Sequence, residues 1–108
     1  MLVLLDQGTP VPIAHHLLQH TVRTASQQSW DTLANGELLA LAEAAGFEVF
    51  VTTDKNLRYQ QNLAVRRIAV VVVMQAQWPR LEPHVALVVS AVDNARPGSY
   101  TEVEIPVS

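Results

Sequence analysis

Three acidic residues stand where a chain could do chemistry. Asp6 ends the apolar run Leu2 to Leu5. Asp54 follows the segment FEVFVTT. Glu37 opens the stretch NGELLALAEAAG. Carboxylates brought together repel one another, and a hard cation such as Mg²⁺ or Mn²⁺ offsets that repulsion. A cation held this way activates water and neutralises charge on a phosphodiester. The hydroxyls of Thr52 and Thr53 would then serve as outer groups that orient the water. The same residues admit a plainer account. An Asp after a strand forms turns or caps a helix, and a Glu in the first turn of a helix is favoured by the macrodipole.

Directly after Asp54 come Lys55, Arg58, Arg66 and Arg67, four of the seven basic residues. Beside an acidic site they read as a patch that holds a nucleic-acid backbone; by themselves they suit a solvated helix face. Tyr59, next to Arg58, suits either stacking on an RNA base or the plainer role of a surface aromatic. The other polar residues say less. His15 and His16 are neighbours on a helix and do not face one ligand. His20 and His84 have no partner at a telling spacing. No serine sits in a nucleophile elbow, and no glycines form a phosphate loop. Trp30 and Trp78 read as packing residues.

These side chains need a frame. Leu2 to Leu5, Glu48 to Thr52 and Ile68 to Met74 are short apolar runs of the kind found in strands buried on both faces. Thr21 to Ala25 is a further short strand. Thr9 before Pro10 marks a helix start, with Ile13, Ala14, Leu17 and Leu18 as its apolar stripe. Asn35 caps a second helix, whose apolar positions are Leu38, Leu41, Ala42 and Ala45 and whose end is Gly46. Leu57 to Ala64 reads as a helix that is polar on most sides. Leu81, Val85, Val88, Val89 and Val92 outline another, with Pro83 tolerated only in its first turn. Pro97-Gly98 makes a turn. In the tail, Thr101, Val103 and Ile105 alternate with Tyr100, Glu102 and Glu104, as in a half-exposed edge strand. Strands and helices alternate, which predicts one α/β domain over residues 1–108 with a mainly parallel sheet covered on both faces. Ligands in such sheets bind beyond the carboxyl ends of the strands, where Asp6 and Asp54 lie.

Bulk properties narrow the field. The chain has 108 residues, of which 49% are hydrophobic, and no cysteine. A packed core is expected, without disulfides or thiolate metal sites. A reducing cytoplasm is compatible with this and is the expected location. The start MLVLLD lacks a basic flank and reads as a strand rather than a signal peptide. No run approaches the ~20 apolar residues of a membrane span. The net charge of -3 argues against nucleic-acid binding over the whole surface.

The segments LLDQGTP, NGELLALAEAAG and VFVTTDKNL, in this order, resemble the PIN-like domain family. The likeness is to its small single-domain branch, related to toxin-type ribonucleases, and runs from Leu2 to Val73. It implies a three-layer α/β/α sandwich and a Mg²⁺- or Mn²⁺-dependent endoribonuclease acting on RNA. It also implies a small antitoxin protein as partner. By the same resemblance Asp6, Glu37 and Asp54 are the catalytic and metal-binding acids, and Thr52 is the hydroxyl of the T-x-D segment. Two departures stand out. The chain has Asp6-Gln7-Gly8 where relatives often read Leu-Asp-Glu-Asn. It has Asp54-Lys55-Asn56 where many read Asp-x-Asp, so Asn56 offers a metal only an uncharged carbonyl oxygen.

Two other functions fit the sequence. One is an interaction module that has lost its metal and binds a partner chain or itself, as a homodimer, through the edge strand and the polar helix. The other is a phosphoacceptor domain of the receiver type. That reading lacks the expected acid pair after the first strand and a lysine at a late strand end.

Overall fold

A computed structural model describes residues 1–106. Among them five strands form one sheet: β1 (Leu2–Leu5), β2 (Thr21–Thr24), β3 (Val49–Thr52), β4 (Ala69–Val73) and β5 (Tyr100–Val103). Their order is β2-β1-β3-β4-β5, and every pairing is parallel. The three central strands carry the apolar runs, because only strands covered on both faces can bury Val and Leu on both sides.

Alternation divides the core in two. Val3, Leu5, Val49, Val51, Val71 and Val73 face one layer, where they meet Ile13, Leu17, Leu81, Val88 and Val92. Leu4, Phe50, Val70 and Val72 face the other, against Leu38, Leu39, Ala42 and Leu57. The first layer holds a 3-10 helix (Val11–His16) and the C-terminal helices; the second holds α1 (Asn35–Ala44) and α2 (Leu57–Gln60). The molecule is thus a three-layer α/β/α domain. The chain leaves β1 toward one face and β3 toward the other. The gap between the carboxyl ends of these neighbouring strands is therefore the topological switch point.

Several elements differ from their sequence-based outlines. Thr9 does not cap the first helix. It is buried, and its hydroxyl donates to the Val51 carbonyl at 3.4 Å. Two prolines, Pro10 and Pro12, restrict the segment to 3-10 geometry, and Leu18 is left 87% exposed rather than joining a stripe. Gly8, at φ +88°, makes the turn that returns the Thr9 N–H to the Asp6 carbonyl. The Leu57 to Ala64 helix is split. Gln61 goes extended and Asn62 caps a separate 3-10 turn, Leu63–Val65. With only Leu57 buried, this segment lacks the apolar stripe that would hold a continuous helix to the sheet.

Beyond β4 come α3 (Trp78–Leu81), a 3-10 turn holding Pro83, and α4 (Val85–Asp93). β5 lies at the sheet edge, with Val103 and Ile105 packed on one face and Tyr100 on the other. His20 is tied to Asp93 at 2.6 Å, which joins the start of β2 to the end of α4. No helix among the described residues is long and apolar enough to cross a membrane.

Candidate functional site

The parallel register of β1 and β3 pairs Leu5 with Val51. The next residues, Asp6 and Thr52, therefore emerge side by side. Asp6 is fixed by its own backbone N–H, which donates to the Val51 carbonyl at 2.8 Å. The buried Thr52 hydroxyl donates to Asp6 Oδ2 at 2.8 Å and accepts the Asp54 backbone N–H at 3.0 Å. One hydroxyl thus ties the Asp6 carboxylate to the Asp54 backbone. Asp54 Oδ1 accepts the Asn56 N–H at 2.9 Å in a local turn, and Asp54 Oδ2 accepts from Asn35 Nδ2 at 3.2 Å.

The electrostatics follow from this placement. Burial pushes the Asp6 carboxyl above its ordinary value, and the Asp54 charge adds to the rise. The hydrogen bonds from Thr52 and the Gln7 N–H oppose it. A carboxylate raised by burial and by a like charge is a group that a cation would relieve. The donor set, two carboxylates with the Asn56 side-chain oxygen nearby in the chain, suits Mg²⁺ or Mn²⁺, which bind one or two carboxylates and keep several waters. By donor type alone these residues fit such an ion.

Glu37 is not part of this pair. It lies in the first turn of α1 as expected, but it is exposed. Among the described residues no three His, Asp or Glu side chains are gathered closely enough to hold a metal. The expected convergence of three acids is thus a convergence of two. From the first turn of α1, Asn35 bonds Asp54.

The basic residues do not form one patch. Lys55 is exposed beside Asp54 in the chain. Arg58 lies over the Tyr59 ring, 4.7 Å from its centroid, and pairs with Glu102 of β5 at 3.3 Å. Arg66 is held by Glu43 at 2.9 Å and reaches the Gly36 carbonyl at 3.4 Å, so it fastens α1. Arg67 precedes β4 and belongs to the opposite, amino end of the sheet, where its N–H donates to Glu43 Oε2 at 2.7 Å.

No family model, curated protein or solved structure matches the chain.

Asn35 is the site residue that the sequence did not single out. An Asn just before an apolar-periodic segment reads as a cap, yet Ala34 occupies the cap position and Asn35 begins the helix. Its amide is used instead on a carboxylate 19 positions away. An ionised carboxylate only accepts, so the amide nitrogen must face it. Nothing in local spacing signals that contact. Thr52, by contrast, was legible as the hydroxyl preceding an acid at a strand end.

Proposed function

We propose that the chain is a Mg²⁺- or Mn²⁺-dependent endoribonuclease of the PIN-like type, acting as the toxin of a toxin–antitoxin pair. The observation that carries this reading is the Asp6–Thr52–Asp54 arrangement at the switch point between β1 and β3. Asp6 and Asp54 would hold the metal, with Asn56 as a neutral ligand. Bound there, the ion would supply charge neutralisation at a phosphodiester and an activated water. Thr52 holds the Asp6 carboxylate and the Asp54 backbone, while Asn35 and the Asn56 N–H hold the Asp54 carboxylate, so less ordering is left to ligand binding. Asn35 fixes the outer oxygen of Asp54. The raised pKa of Asp6 suits an acid that gains most from a cation partner. Lys55 and the exposed Arg58–Tyr59 face provide charge and stacking for a single strand of RNA.

Calorimetric titration with Mn²⁺, wild type beside Asp54→Ala, tests the metal. Saturable heat in the wild type that vanishes in the variant is the expected result. RNA cleavage by the wild type, abolished in a folded Asp6→Asn variant, tests the chemistry. Full activity in Asp6→Asn would sink the reading.

A second reading draws on the lack, among the described residues, of a gathered group of three acids. A site with two acids and an amide binds cations more weakly than one with four acids. The domain would then act as an interaction module through its β5 edge and the polar α2 segment. Absence of any Mn²⁺ binding by the wild type selects this alternative over the nuclease.

A further inference from the structure

At the amino end of the sheet, away from Asp6 and Asp54, lies a cleft of about 420 Å³. This is within the range of small-molecule sites. Phe47, Ile68, Ala95 and Pro97 give it apolar walls. Arg67 and Arg96 also line it, and both are exposed.

The backbone around each arginine is fastened. The Arg67 N–H donates to Glu43 and its carbonyl accepts from the Gly98 N–H at 2.7 Å. Arg96 closes a turn with Ser99, donating to the Ser99 hydroxyl at 3.1 Å and accepting its N–H at 2.9 Å. Gly98 holds this turn at φ +77° against the Arg66 carbonyl, where a Cβ would come within 3.4 Å. The two stems are therefore anchored to β4 and to the turn before β5.

Their guanidinium groups are not used in the same way. Among the described residues, neither takes part in an ion pair. Two acids line the cleft, and one is already engaged. Glu43 accepts from Arg66 and from the Arg67 N–H, while Glu48, among the described residues, accepts only the Leu2 N–H, at 3.4 Å. At the rim, two arginines without an ion pair among the described residues thus stand with one loosely held carboxylate, which leaves the rim cationic. An arginine fork matches a carboxylate or phosphate, and an apolar wall beside it excludes a fully hydrated ion as the best occupant.

We propose that this cleft binds a small amphipathic anion, an aromatic or aliphatic group carrying one phosphate or carboxylate. Its apolar body rests on Phe47, Ile68 and Pro97, and its charged end lies between Arg67 and Arg96. The site is independent of the reaction proposed at the other end of the sheet.

Amide NMR titration of the full chain tests this, with phenyl phosphate, phenylacetate and inorganic phosphate as probes. The expected result is saturable shifts at Phe47, Ile68 and Ala95 to Gly98, and none at Asp6 or Asp54. Stronger binding of phenyl phosphate than of phenylacetate assigns a phosphate ligand, and the reverse order a carboxylate. The exposed double variant Arg67→Met with Arg96→Met should weaken the preferred probe by about tenfold or more, because it removes charge-assisted hydrogen bonds. Unchanged affinity in that variant would overturn the proposal. So would inorganic phosphate binding as well as either aromatic probe, or the absence of saturable shifts with all three.

Discussion

Asp6 places an ionisable group where ionisation costs stability. Its carboxyl is raised above the ordinary 3.8 chiefly by burial. The sign of the consequence is fixed by linkage. A folded-state pKa above the unfolded one means the native chain binds more protons between the two values. Asp6 therefore contributes stability when protonated, and that contribution is lost as pH rises through its folded-state pKa. An amide at this position cannot ionise. Thermal unfolding of wild type and Asp6→Asn, followed from pH 3.5 to 7, should show the difference moving in the variant's favour as pH rises. A difference independent of pH would show that burial does not raise this carboxyl. Thr52 is the complementary case. Its hydroxyl is buried and satisfied in both directions, as donor to Asp6 and as acceptor from Asp54.

At the scale of the element, α1 shows how a helix of modest amphipathicity is placed. Leu38, Leu39 and Ala42 bury one stripe against Leu4 and Phe50. Gly46 ends it at φ +91°, in the left-handed region that a side chain rarely adopts. The same end is fixed by Glu43. Burial raises its pKa, but the Arg67 N–H, the Arg66 side chain and the Ile68 N–H outweigh that and lower it on balance. A lowered carboxylate contributes stability above its unfolded pKa and loses it as pH falls through the folded one. Glu43→Gln should therefore cost about 1 kcal/mol at neutral pH, a typical value for a charge-assisted hydrogen bond at a partly solvated site. The cost should shrink at acid pH, as chemical denaturation at the two pH values would reveal. A cost that held constant to pH 3 would assign the loss to packing instead.

For the whole molecule, the central fact is a parallel sheet covered on both faces. Phe50 is fully buried on β3, between β1 and β4, beneath α1 and α2. Phe50→Ala removes its packing and leaves a cavity, at a cost of about 3–5 kcal/mol. Domains of this size have a total stability of roughly 5–15 kcal/mol. A large fall in the denaturant midpoint is expected, together with loss of any metal binding, since β3 positions Thr52 and Asp54. A fall of less than 1 kcal/mol would mean that the two core layers are looser than their burial indicates.

The sequence by itself determined the local elements with strong signals. Leu2–Leu5, Val49–Thr52 and Ala69–Val73 are apolar on both faces, and no other environment suits such runs. The Gly46 end of α1 and the Pro97-Gly98 turn were legible because those residues allow conformations that others resist. The alternation in the tail marked β5 as an edge strand for a similar reason. What only the tertiary structure decided were relations between distant segments. Register between β1 and β3 brings Asp6 beside Thr52, 46 positions apart. The start of α1 brings the Asn35 amide onto Asp54, 19 positions away. The four basic residues are close in sequence, yet β4 begins just after Arg67 and carries the last two to the other end of the sheet or into the Arg66–Glu43 pair. Neighbouring positions in a chain fix neighbouring positions in space only within one element. Across a turn, packing against the sheet sets direction, and a run of like charges is divided accordingly.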